Sequence, residues 1–172
     1  MNEIRTPRLR LRRARMDDLA AIHAVLRDPR AMLYWSTPPH ATIDQSRLWL
    51  RSMVDTPATE NADFVIEQDG RVIGKAGCWR LPEIGFILHP DFWGLGLARE
   101  AVGAVVDFTF AQFDIPAITA DVDPRNQPSL NLLARLGFRE THRATRTIQV
   151  GGLWCDSVYL ERAAPCRDKR TS

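Results

Sequence analysis

The segment richest in chemistry is Glu83-Ile-Gly-Phe-Ile-Leu-His-Pro-Asp-Phe-Trp-Gly-Leu-Gly-Leu-Ala98. It reads as a strand, a Gly-rich turn and the start of a long helix. Gly94 and Gly96 allow backbone angles and a close approach that a Cβ forbids. The free N–H groups opening the helix, over residues 95–98, converge on one spot. With the helix dipole they form an anion site suited to a pyrophosphate. The same glycines also serve a plain tight strand–helix turn. A dinucleotide fingerprint fits less well, because Gly94-x-Gly96-x-x-Arg99 lacks the third glycine. Asp114 lies at about the right distance, but beside Pro116 and before the next strand. A P-loop is excluded, since Gly-Lys-Ser/Thr is absent.

The elements around this segment follow from periodicity and punctuation. Residues 8–14 alternate in part and read as a short strand. Asp17 or Asp18 opens a helix to about Asp28, with Pro29 just past its end. Residues 32–40 carry aromatics and a proline pair and read as a loop. Thr42 or Asp44 starts a second helix to about Val54. Residues 63–67 and 71–78 flank Gln68-Asp69-Gly70, a hairpin signal. The strand 83–89, a helix from Leu97 to Phe113, a buried strand 117–122 and a short helix from Asn126 to Leu136 follow. Gly137 stops that helix at a C′ position. A final hairpin, 138–149 and 153–162, turns at Val150-Gly151-Gly152. The order β–α–α–β–β–β–α–β–α–β–β describes one mixed α/β domain over 1–162, with a polar, frayed tail over 163–172.

Length and composition bound the function. The chain has 172 residues, 45% hydrophobic and 26% charged, as an ordinary globular domain does. Lys plus Arg is 23 and Asp plus Glu 21, a net +2 that argues against a dedicated nucleic-acid binder. No apolar run approaches the roughly 20 residues a membrane helix needs, and the basic N-terminus lacks the apolar stretch of a secretory signal. Cys78, Cys155 and Cys166 are far apart, odd in number and without metal-ligand spacing. The cytoplasm is the expected compartment.

Trp93-Gly-Leu-Gly-Leu-Ala98 resembles the acyl-coenzyme A loop of the GNAT N-acetyltransferase superfamily, written R/Q-x-x-G-x-G/A. Trp93 stands where Arg or Gln is usual, and a Trp-Gly-x-Gly form is common in the branch of ribosomal-protein N-terminal acetyltransferases, the RimJ/RimL type. The resemblance extends to Thr6-Pro-Arg-Leu-Arg-Leu-Arg12, Asp28-Pro29 with Tyr34-Trp35, Glu83-Ile-Gly-Phe86, Asn126-Gln-Pro-Ser129, Arg135-Leu-Gly-Phe138 and Gly152-Leu-Trp-Cys-Asp156. Together these cover residues 5–162 in family order.

That resemblance implies an α/β (α+β) GNAT fold. Its mixed, mostly antiparallel sheet would have about seven strands and about four flanking helices, splayed between strands four and five. It implies acetyl-coenzyme A (acetyl-CoA) as cosubstrate and no metal. Backbone groups of Phe86, Ile87 and Leu88 would bind the pantetheine arm, one N–H polarising the thioester carbonyl. Trp93, Gly94, Leu95, Gly96, Leu97 and Ala98 would hold the pyrophosphate, and Arg99 is a further cation or a solvated surface residue.

Asn126 reads as a helix N-cap, and the resemblance implies that it would also hydrogen-bond the cofactor arm. By the same resemblance Ser129 would protonate the departing thiolate; the position one turn on, where many relatives carry tyrosine, is Leu133, which leaves Ser129 or a water as the acid. Glu83 is the first choice as general base, through a water. Asp121 and Asp123 are further candidates on one strand face, and His89 reads as part of a turn. Tyr34 and Trp35 would face the acceptor, with Trp79 a further candidate wall, while Trp49 reads as core and Trp154 as structural.

The expected activity is direct acetyl transfer to a primary amine, with a protein N-terminal α-amine favoured. A small amine such as a polyamine, an antibiotic or an amino-acid derivative is the alternative acceptor. A CoA-binding sensor without turnover is the rival of another class. Expected partners are acetyl-CoA and the amine acceptor, with no nucleic acid and no membrane, and with room for a homodimer.

Overall fold

The computed structural model describes residues 3–166. In chain order the elements are β1 (Glu3–Arg5), β2 (Arg10–Arg12), α1 (Leu19–Leu26), α2 (Ile43–Asp55), β3 (Ala62–Gln68), β4 (Arg71–Arg80), β5 (Glu83–Leu88), α3 (Leu97–Gln112), β6 (Ala117–Val122), α4 (Gln127–Arg135), β7 (Arg139–Val150) and β8 (Leu153–Ala163). Eight strands form one open sheet in the order β1-β2-β3-β4-β5-β6-β8-β7, one more than the seven expected. The addition is β1, which Thr6 and Leu9 fold back onto β2 in register Ile4↔Leu11. Within the tail expected over 163–172, Ala163 pairs with Ala117 and Ala164 N–H donates to Pro116 O. Residues 167–172 of that tail lie outside the described residues.

Local chemistry sets the element ends. Thr42 caps α2 in a reciprocal box with Gln45, satisfying two otherwise orphaned N–H groups. Asp69 and Gly70 both take positive φ in the β3–β4 turn, the geometry a two-residue hairpin requires.

The sheet is covered on both faces. α3 and α4 enclose Phe64, Ile73, Ile84, Leu88, Ile118 and Val158 on one face. α1 and α2 enclose Val65, Val72 and Ile87 on the other. Each such fully buried aliphatic side chain contributes about 1.5–3 kcal/mol. On the α1/α2 face Lys75 and Asp63 are buried together as an ion pair. Lys75 Nζ lies 2.8 Å from Asp63 Oδ1, outside hydrogen-bond geometry. Among the described residues no helix is long and apolar enough to cross a membrane.

Candidate active site

β5 and β6 run parallel, and they are in register at one place only, Glu83↔Thr119, where Thr119 N–H donates to Pro82 O. Beyond it the strands part. β5 stays antiparallel to β4 through Ala76↔Phe86, Lys75↔Ile87 and Gly74↔Leu88, and His89 N–H donates to Ile73 O. Alternation along that ladder commits the backbone groups of Ile87 to β4 and turns those of Phe86 and Leu88 toward the gap. Of the three residues expected to offer backbone groups there, Ile87 is therefore corrected, and Phe86 and Leu88 remain. Leu88 O is already occupied, since Trp93 Nε1–H donates to it at 3.0 Å.

The Gly-rich turn lies at the end of this gap. Gly94 and Gly96 have φ of 74° and 76°, and Gly96 is the left-handed N-cap of α3 without any side-chain cap. A Cβ on Gly94 would stand in open space. Leu97 is buried and anchors the helix start, while Leu95 and Arg99 are exposed. Bare N–H groups at a helix N-terminus, next to a strand edge with free donors and acceptors, fit a ligand with a diphosphate at one end and amides along its arm. Those are the features of coenzyme A.

α4 follows β6, the second strand of the splay, in the chain. Asn126 is its N-cap, Oδ1 accepting from Ser129 N–H at 3.3 Å. The Ser129 hydroxyl has no hydrogen-bond partner among the described residues and is half-buried.

The opposite, α1/α2 face of the splay holds the other candidates. Glu83, Thr119, Asp121, His142, Tyr159 and Glu161 line a cleft of about 320 Å³. His142 stacks on Tyr159 with centroids 4.4 Å apart. Arg80 lies 3.8 Å from Glu83, whereas Asp121 and Glu161 have no ion-pair partner among the described residues. Asp123, expected beside Asp121, instead turns to Arg125 at 2.6 Å, and that bond holds its carboxyl below the usual carboxylate range.

Arg125 also lies over the Tyr34 ring, and Trp35 Cη2 is 3.9 Å from where a Cβ on Gly85 would be. The loop carrying Tyr34 and Trp35 thus reaches over the splay on the cleft side. Trp49 packs against the α1/α2 core as expected, and Trp79 is half-exposed beneath Arg80. Trp154 is half-exposed beneath Arg146. His89 accepts from Asp91 N–H in a turn.

Two arginines escaped the sequence reading, Arg8 beside the Gly-rich turn and Arg125 against the Tyr34 ring. Both act across long sequence separations that no local pattern exposes. Among the described residues no group of three or more His, Cys, Asp or Glu could hold a metal ion.

Comparison with known proteins agrees with this geometry. Residues 8–139 match the acetyltransferase (GNAT) domain family. An uncharacterized N-acetyltransferase, p20 of Bacillus licheniformis, is 29% identical over 149 residues, 81% of this chain and 84% of that protein. The spermidine N(1)-acetyltransferase of Escherichia coli K12 is 28% identical over 162 residues, 88% of this chain and 84% of that protein. Among solved structures, RimL, a ribosomal L7/L12 alpha-N-protein acetyltransferase in complex with coenzyme A, superposes with a TM-score of 0.83 at 18% identity, covering 94% of this chain and 98% of that one. With its splayed sheet and Gly-rich turn, the chain belongs to the GNAT acetyltransferase superfamily and is an acetyl-CoA-dependent N-acetyltransferase.

Proposed function

We propose that the chain acetylates the α-amine of a protein N-terminus, the acceptor entering from the α1/α2 face and meeting the acetyl donor in the β5/β6 splay. The observation that carries the reading is that splay, open to a helix N-terminus on one face and to a carboxylate-lined cleft on the other. The resemblance of its motifs to the RimJ/RimL type supports the acceptor. The accompanying compartment is the cytoplasm.

Acetyl-CoA, when bound, supplies an activated acetyl thioester. The gap-facing backbone of Phe86 and Leu88 orients the pantetheine arm, and one of their N–H groups serves as a fixed donor to the reacting carbonyl. Such a donor contributes about 2.7–4 kcal/mol to transition-state stabilisation. Bare N–H groups over 95–98 hold the diphosphate, with Arg99 at the helix start. Glu83, at the mouth of the cleft, takes the proton of the acceptor ammonium through a water. Ser129 Oγ–H is the proton source for the leaving thiolate, and Asn126, as N-cap, fixes the turn that presents it. Tyr34 and Trp35 roof the acceptor path.

A polyamine acceptor is the second reading. The carboxylates of Glu83, Asp121 and Glu161 around one cleft favour it, as does the similarity to a spermidine acetyltransferase. Thiol release measured with N-terminal peptides and with spermidine separates the two. A kcat/KM at least tenfold higher for peptides supports the first reading, and the reverse ratio selects the second. Coenzyme A binding without turnover on either acceptor would turn the search to the other small amines, an antibiotic or an amino-acid derivative.

A further inference from the structure

In the motif that the Gly-rich turn resembles, the position of Trp93 carries Arg or Gln, but here the indole is spent on Leu88 O and brings no charge to the turn. A cation arrives from elsewhere in the chain. Arg8, between β1 and β2, donates from Nε to Glu100 Oε2 at 2.7 Å and from Nη1 to Leu95 O at 2.8 Å. Its backbone N–H donates to Glu100 Oε1, as does the Thr6 hydroxyl. The guanidinium is thus fixed at two of its three nitrogens although the side chain is 46% exposed. Its third nitrogen, Nη2, donates no hydrogen bond among the described residues and lies 3.6 Å from where a Cβ on Gly96 would stand.

Glu100 makes this cation necessary. It lies in the first turn of α3, the end of the helix where a diphosphate would sit, and is mostly buried. Burial alone would raise its pKa, yet bonds from Thr6 and Arg8 hold it below the usual carboxylate range. A carboxylate kept charged there repels phosphate unless a neighbour cancels it.

We propose that Arg8 is a ligand of the cofactor diphosphate. It neutralises Glu100 at the N-terminus of α3 and offers its free Nη2 to the phosphate oxygens, in place of the cation absent at Trp93. Guanidinium–phosphate bonds are charge-assisted and geometrically specific, so lysine substitutes only in part. The inference rests on the acetyl-CoA reading above.

The test is calorimetric titration of wild type, Arg8→Met, Arg8→Lys, Glu100→Gln and the Arg8→Met/Glu100→Gln double variant with CoA and with dephospho-CoA. S-acetylpantetheine, which lacks the diphosphate, is compared as acetyl donor at low concentration. Arg8→Met is expected to weaken CoA and dephospho-CoA about tenfold or more, with kcat/KM for S-acetylpantetheine kept within about twofold. Arg8→Lys should fall between, and adding Glu100→Gln should recover part of the loss.

CoA affinity within about twofold of wild type in Arg8→Met overturns the proposal. So does an equal loss with S-acetylpantetheine, which makes Arg8 merely structural, or a loss confined to CoA, which moves the contact to the 3′-phosphate. If Arg8→Met does not fold, Arg8→Lys decides by the same comparisons. Failure of wild type itself to bind CoA removes the acetyl-CoA reading and the role of Arg8 with it, whereas a loss seen only in the variants bears on Arg8 alone.

Discussion

Glu83 and Thr119 are the one pair at which β5 and β6 stay in parallel register, and the two strands diverge from there. The backbone of Glu83 thereby sits at the vertex of the splay while its side chain lines the cleft on the α1/α2 face. A carboxylate at the vertex is near both the amine path and the gap. Glu83→Gln, which keeps shape and removes the basic group, is expected to lower kcat/KM by about 10²–10⁴. Its CoA affinity should be unchanged, as steady-state kinetics and calorimetry on the same preparation will show. Activity within about threefold of wild type would move the base to Asp121.

Gly94 has φ of 74°, and a Cβ there would meet nothing within 4 Å in the protein. Gly94→Ala therefore costs only the left-handed penalty, about 1–2 kcal/mol, while placing a methyl group in the bare turn. The expected result is a melting temperature lower by a few degrees and a CoA Kd raised at least tenfold. Unchanged affinity in the folded variant would take the diphosphate away from this turn.

Asn126 and Ser129 share one hydrogen bond but have separable roles. Asn126→Ala removes the N-cap of α4, a loss of about 1 kcal/mol visible in denaturant unfolding, and lowers turnover through the displaced turn. Ser129→Ala leaves the cap acceptor and the Ser129 N–H in place, so stability and CoA affinity should hold while kcat falls. A kcat equal to wild type would clear the hydroxyl of acid catalysis.

His23 and His40 both place Nδ1 on the buried Ser46 hydroxyl, at 2.8 and 2.9 Å, tying α1 and the aromatic loop to α2. Burial lowers the pKa of His40 below its ordinary 6.5, with His23 as a second cause. The folded state thus takes up the proton less readily than the unfolded chain. Stability is full above about pH 6.5 and falls as pH drops through that value toward the lower folded pKa. Melting curves should show a loss between about pH 7.5 and pH 5 that is smaller in His40→Asn. An equal loss in both proteins would place the pH sensitivity elsewhere.

Much of this was legible in the sequence wherever local chemistry decides the outcome. β6 spans the expected 117–122, α4 begins after Asn126, Gly137 takes φ of 85°, and Asp69-Gly70 makes the hairpin turn. The Gly-rich turn was readable because a left-handed N-cap needs glycine. Strand β1 was missed, since three residues carry no periodicity and only their pairing with β2 defines them. The backbone alternation that commits Ile87 to β4 is a property of register with a distant strand. Arg8 and Arg125 were hidden for the same reason. Arg8 lies 92 residues from the carboxylate that fixes it, and Arg125 meets Tyr34 only because the loop crosses the splay.

The most direct test of cofactor seating in the splay is residue-resolved amide hydrogen exchange, with and without CoA. Phe86 and Leu88 turn their N–H groups to the open gap, whereas Ile87 is held in the β4 ladder. Without ligand, Phe86 and Leu88 should exchange much faster than Ile87, and CoA should slow both of them together with Leu97 and Ala98, leaving Ile87 unchanged. Protection that appears elsewhere on the sheet, or none at saturating CoA in a folded protein, would contradict the assignment.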